Sequence, residues 1–242
     1  EKIKKLKDWI EECNNILFFG GAGVSTESGI PDFRSENGIF AAVTAYGYRP
    51  EVILSHSFFV AHPEIFFEYY KKNLLYPDAK PNDCHKALTK LEQMGKLKSV
   101  VTQNIDDLHQ KAGSKRVLEL HGTLYRNYCL QCGKEFDLDY VTKDAGITRC
   151  DACGAIVRPD VVLYEEGLDQ KTIEDAVDDI AHADMLIVGG TSLNVYPAAG
   201  LIHYFKGKYL VLINKSPTSL DQKADLVIAQ NIGEVFRQAV LD

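Results

Sequence analysis

Short apolar runs set the rhythm of this chain. Six are rich in Val, Ile and Leu, at residues 16–19, 99–102, 117–120, 185–188, 209–213 and 226–228. Most are separated by stretches whose apolar residues recur at helical spacing. Ile3, Leu6, Ile10 and Cys13 predict an opening helix. Asn82 as a cap and Gly95 as a stop predict another over 82–95, and further helices are predicted over 170–181, 197–205 and 232–241. Apolar strands alternating with helices belong in a parallel sheet covered on both faces, so the pattern predicts a doubly wound α/β fold. Residues 37–81 break the rhythm. They hold aromatic-rich helical patterns punctuated by Pro50, Pro63, Pro77 and Pro81, with no strand pattern, and predict a helical insertion. Phe58, Phe59, Phe66, Phe67, Tyr69 and Tyr70 within it read as core.

Ligands of doubly wound sheets sit beyond the carboxyl ends of the strands. Five such ends carry chemistry here: 20–34, 103–106, His121, 189–193 and Asn214. The first reads GGAGVSTESGIPDFR. Its glycines allow a sharp turn close to a ligand, and a following helix start would aim backbone N–H groups at a phosphate. It is not a clean dinucleotide fingerprint, because Thr26 stands where the third Gly belongs and no ribose-binding acid follows about 20 residues on. A tight surface turn is the alternative. Asp106 stands at a loop-to-helix junction, where a carboxylate can bind a ligand or simply cap the helix. His121 is followed by Gly122, expected to leave room beside an imidazole able to exchange protons near neutral pH. The other six histidines read as structural.

Four of the six cysteines form C-x2-C-x17-C-x2-C, namely Cys129, Cys132, Cys150 and Cys153. Four thiolates at this spacing can close a tetrahedral Zn²⁺ site with no position left for a catalytic water, so a structural metal is expected. Cys13 and Cys84 read as buried thiols.

Composition narrows the partners. The chain has 242 residues, 45% hydrophobic and 25% charged, with a net charge of −7. That balance argues against a direct nucleic-acid binder. No apolar run approaches a membrane span and the first residues lack a signal-peptide core, which predicts a cytoplasmic protein.

The blocks GAGVS and GIPDFR, TQNID at 102–106, HG at 121–122, GTSL at 190–193, and RPDVVLYEE at 158–166 resemble, in order, those of the sirtuin family of NAD-dependent protein lysine deacylases. The resemblance implies a Rossmann-like NAD-binding domain from 1–36, 82–125 and 158–242. It implies a smaller domain from the helical insertion at 37–81 and a zinc ribbon at 126–157. His121 becomes the general base, with Asn104 as a second catalytic residue. The cofactor would be held by Gly21, Ala22, Ser25, Thr26, Asp32, Phe33 and Arg34, then by Gln103, Asn104, Ile105, Asp106 and His121. Asp106 and the Ile105 backbone take the nicotinamide amide, while Gly190, Thr191, Ser192, Asn214 and Ile232 lie at the adenosine end. Phe33, Val162, Tyr164 and Val195 would flank an acetyl-lysine of a protein or peptide. The implied products are free lysine, nicotinamide and O-acetyl-ADP-ribose; removal of other acyl groups, or ADP-ribosyl transfer, remains open on the same site. In relatives that prefer succinyl-lysine, a Tyr-x-x-Arg pair clamps the acyl carboxylate. Its positions fall here on Phe67 and Tyr70, so an apolar tunnel favouring acetyl is expected. Glu165 occupies a position where the family usually has Gly.

Overall fold

A computed structural model describes residues 1–242. Its strands are β1 (Ile16–Gly20), β2 (Leu97–Thr102), β3 (Val117–Glu119), β4 (Gly122–Cys129), β5 (Glu135–Phe136), β6 (Val157–Val161), β7 (Met185–Gly189), β8 (Tyr209–Ile213) and β9 (Leu226–Ile228). Six of them form one sheet in the order β3-β2-β1-β7-β8-β9, and every pairing in it is parallel. The chain builds outward from β1 to β3, then returns beside β1 and builds outward the other way. The reversal between β1 and β7 is the topological switch point, where connections leave in opposite directions and open a crevice.

Alternation along the strands explains why both faces are covered. Ile16 and Phe18 of β1 join Val100, Ile187, Val211 and Ile213 beneath the helices Lys2–Glu12, Asp83–Gln93 and Ile232–Phe236. Leu17 and Phe19 point the other way, into Val101, Leu186, Val188 and Leu212 under the helix Gln170–His182. Cys13 and Cys84 are buried thiols of the first core.

Four helices, Glu36–Tyr46, Pro50–Ile53, His56–Ala61 and Pro63–Asn73, make up the stretch after the Gly-rich loop. Phe58, Phe59, Phe66, Phe67, Tyr69 and Tyr70 are buried in a separate core with Leu124, Val141 and Leu163. A second sheet, β5-β4-β6, was not legible in the sequence. Its long strand mixes Thr, Arg and Asn among apolar residues, and its register slips between Thr123 and Asn127, so period-two alternation is lost. Expected boundaries at 125 and 157 fall inside or at the start of β4 and β6, which run unbroken between the cysteines and the main sheet.

Three local expectations differ from what is found. The Gly-rich loop leads into two 3₁₀ turns, Ala22–Val24 and Thr26–Ser28, rather than an α-helix. Thr26 Oγ1 donates to the Gly23 carbonyl, and Gly29 at φ +88° stops the second turn. Residues 198–204 are likewise 3₁₀, and the last helix changes to a π turn after Phe236. No helix is long and apolar enough to cross a membrane.

Candidate active site

The loops after β1 and β7 touch at the switch point. Gly23 N–H donates to Gly190 O at 2.7 Å. A Cβ on Gly23 would lie 2.7 Å from Gly190 Cα, so side chains are excluded where the loops cross. From the other side Asn82 holds the same loop. Its Nδ2 donates to Val24 O (2.7 Å) and Ser28 Oγ (2.9 Å), while its Oδ1 caps the next helix at Cys84 N–H. The sequence pattern marks Asn82 as a cap but carries no sign of its bracing this loop.

Beneath the loop lies a cavity of about 240 Å³. Ala22, Ser25, Asp32, Phe33 and Arg34 line it from the first loop, Gln103, Asn104, Ile105 and Asp106 from the second, and His121 from the turn after β3. Val162, Tyr164 and Val195 line its outer part. Gly21, Thr26, Gly190, Thr191, Ser192, Asn214 and Ile232 lie outside this lining, with Gly21 against Gly190 and Thr191. Two of them are fixed by internal contacts. Thr191 Oγ1 accepts from Gln103 Nε2 at 3.1 Å, and Ile232 is buried against Gly189. Of the insertion's aromatics in the core, none reaches the cavity. Leu54, Asn73, Leu74 and Tyr76 do, from helix ends and loops where periodicity carries no signal.

One hydrogen-bonded chain orders the inner cavity. Asn104 Nδ2 donates to Gly21 O (2.9 Å) and Ser25 Oγ (3.2 Å), and Ser25 Oγ–H donates to Asp106 Oδ2 at 2.6 Å. With its amide nitrogen committed, Asn104 has its oxygen left for a ligand's donor. Asp106 Oδ1 also accepts from Leu108 N–H (3.0 Å), so the capping role and the cavity position coexist. Burial pushes the Asp106 carboxyl above its usual range, against the Ser25 and Leu108 hydrogen bonds that lower it.

His121 Nδ1 lies 3.1 Å from the Gln103 carbonyl. A carbonyl can only accept, so Nδ1 carries the proton and Nε2 is the basic nitrogen. Burial lowers the His121 pKa; the Gln103 contact raises it, and the Arg34 charge lowers it further. The imidazole is therefore neutral at neutral pH. Gly122, expected to leave room beside it, is required instead on the other side. At φ +78° it lets β4 pass against β6, where a Cβ would collide with the Asp160 carbonyl. No other histidine lines the cavity. His85 and His109 are buried edge to face with ring centroids 4.7 Å apart, and His56, His62, His182 and His203 are exposed.

Lys71, one residue from the expected acyl-clamp position, turns away. Its Nζ donates to Asp144 O at 3.0 Å, while Phe67 and Tyr70 are buried. The cation in the lining is Arg34, whose Nε is 3.6 Å from Asp32 Oδ1, so its charge is already compensated.

Away from the cavity, the Sγ atoms of Cys129, Cys132, Cys150 and Cys153 all lie within 4.8 Å of one another. Two of the pairs measure 3.4 and 3.7 Å. A tetrahedron with Zn–S bonds of ~2.3 Å has edges of about 3.8 Å, so the four thiols fit zinc. Backbone N–H groups of Gln131 and Cys132 point at Cys129 Sγ, and that of Ala152 at Cys150 Sγ, as thiolates require. The local core contains just four buried residues, two of them cysteines.

A doubly wound sheet with a cavity at its switch point and a four-thiol module defines a nucleotide-binding α/β protein carrying a zinc ribbon. The Sir2 family model matches residues 21–197. The chain is 60% identical over 241 residues to a Clostridium acetobutylicum protein named NAD-dependent protein deacetylase, covering 99% of this chain and 98% of that one. A Clostridium perfringens protein of the same name is also 60% identical, with 99% of each chain covered. The solved structure of Sir2 with a p53 peptide and NAD⁺ superposes with a TM-score of 0.87 at 38% identity, covering 98% of this chain and 97% of that one. The chain belongs to the Sir2 family.

Proposed function

We infer that this chain removes acetyl groups from protein lysine side chains, with NAD as co-substrate. The observation that carries the reading is the meeting of His121, Asn104 and Asp106 on one cavity at the switch point. NAD supplies an electrophilic ribose carbon with nicotinamide as leaving group. His121 takes up through Nε2 the hydroxyl proton released during acyl transfer. Asn104 accepts a ligand hydrogen bond at Oδ1, and Asp106 accepts one from the nicotinamide amide. Gly21, Ala22, Thr26, Asp32, Phe33 and Arg34 hold the cofactor under the first loop. Gly190, Thr191, Ser192, Asn214 and Ile232 form its adenosine end along β7 and β8. Phe33, Val162, Tyr164 and Val195 flank the acyl-lysine. Cys129, Cys132, Cys150 and Cys153 hold zinc in a structural role, outside the cavity lining. The main parallel sheet is read as the NAD-binding domain, and the insertion plus the small sheet as the second. Six unpaired cysteines suit a reducing compartment, which favours the cytoplasm.

The test is mass spectrometry of an acetyl-lysine peptide incubated with and without NAD. Deacetylated peptide, nicotinamide and O-acetyl-ADP-ribose are expected only with NAD; an unchanged acetyl peptide ends the proposal.

Two narrower outcomes follow from single residues. Asp106→Asn should weaken inhibition by free nicotinamide by about 10- to 100-fold, the worth of one charge-assisted hydrogen bond. An unchanged inhibition constant would leave Asp106 as a cap for Leu108. On one peptide sequence, kcat/KM for acetyl-lysine should exceed that for succinyl-lysine by at least about tenfold, because a buried carboxylate without a free cation is costly. Equal turnover would mean that Arg34 leaves Asp32 to meet the acyl group.

A further inference from the structure

Glu165 sits in a backbone conformation that disfavours it, with φ +80°. Glycine would adopt this conformation without cost, and the chain places a carboxylate there instead. That carboxylate lines the mouth of the cavity and is exposed. It is held in place: Ser57 N–H donates to Oε1 at 2.8 Å and Ser57 Oγ–H to Oε2 at 2.9 Å. Ser55 Oγ already caps the helix His56–Ala61 at Phe58 N–H, and Glu165 adds a second acceptor at Ser57 N–H. The neighbouring Glu166 is paired with Arg158 at 2.8 Å and hydrogen-bonded to His56 Nδ1 at 2.8 Å, whereas Glu165 has no cationic partner.

The backbone around it is open on one side. Tyr164 is engaged on both its N–H and C=O, by Leu54 O and His56 N–H. The N–H and C=O of Glu165 find no partner within the chain, nor do those of Asn194 beside Val195. Open backbone on two segments that flank one cavity suits an extended peptide lying between them. Such a peptide would pass a fixed, unpaired negative charge.

We propose that Glu165 is a specificity-determining residue that selects acetyl-lysine substrates with a cationic residue close to the modified lysine. This rests on the deacetylase reading. The test uses acetyl-lysine peptides carrying one Arg, Ala or Glu at each of the two positions on either side. For the wild-type chain, kcat/KM at one or more of these positions should favour Arg over Glu by roughly fivefold, and about 0.5 M salt should flatten the difference. Glu165→Gln keeps hydrogen-bonding capacity towards Ser57 and should reduce the ratio to below about twofold, with the Ala peptides turned over as before. Glu165→Gly, the residue that φ favours, should lose the preference in the same way even if the Gln variant folds poorly. A structural role alone would lower Tm and slow every peptide alike, with the Arg-to-Glu ratio unchanged; that result overturns the proposal, as does a wild type with no charge preference. A wild type that processes no acetyl peptide at all would instead remove the deacetylase reading, and this inference with it.

Discussion

His121→Ala should lower deacetylation by about 10²- to 10⁴-fold, the usual worth of a positioned base, while NAD still binds. The imidazole meets the chain through Nδ1 on the Gln103 carbonyl, so its removal leaves the Asn104–Ser25–Asp106 relay untouched. The pH dependence of the wild type carries a second check. A base works when neutral, and burial holds the His121 pKa below the ordinary value of about 6.5. The acid limb of kcat/KM should therefore lie below pH 6.5, with activity retained as pH rises through neutrality. Peptide turnover by the mutant near the wild-type rate, measured by mass spectrometry alongside NAD titration, would remove His121 from the reaction.

Cys132→Ser should lower metal content and stability together. Structural zinc sites contribute folding free energy outright, of order 10 kcal/mol in isolated modules. Losing even several kcal/mol of it in a chain of this size should lower Tm by roughly 10 °C or more. Phe136 and Val157 with two of the ligands themselves make up the buried core of the module, too little to hold β5 and the turns without metal. The same loss should follow chelation, read by metal analysis and thermal unfolding. A chelated chain that stays folded to the same temperature yet loses all turnover would move the metal from structure to chemistry.

The main sheet was legible because its strands are buried on both faces, and continuous apolar runs such as Leu-Phe-Phe or Leu-Ile-Val need no register to be recognised. The strand ends gather Ser25, Asn104, Asp106 and His121 in the sequence alone. What escaped depended on partners far apart in the chain. The small sheet pairs Gly122 with Val161 and Tyr128 with Arg158, a match that neither segment announces alone. Gly122 looked like space beside His121 because its neighbour Asp160 is 38 residues away. The direct contact of Ser25 with Asp106, the brace from Asn82, and the cavity walls at Leu54 and Tyr76 are likewise products of packing. Glu165 was legible as an oddity, but its anchoring to Ser57 was not.

β4 and β6 bear on how this cavity could open. His121 immediately precedes β4 and Val162 immediately follows β6, and Val162 N–H donates to His121 O at 2.9 Å. One wall of the acyl channel is thus mounted on the strands whose far ends reach the cysteines, while His121 joins β4 to the large sheet, where Leu120 N–H donates to Thr102 O at 3.0 Å. Ser25, Asn104 and Asp106 are mounted on the large sheet. If the small sheet swings, the acyl wall turns about a pivot at His121, and the spacing that changes is the one between acyl group and nicotinamide pocket. The Nδ1 contact to Gln103 ties that pivot to the end of β2, so the bond that sets the tautomer also holds the base to the large sheet.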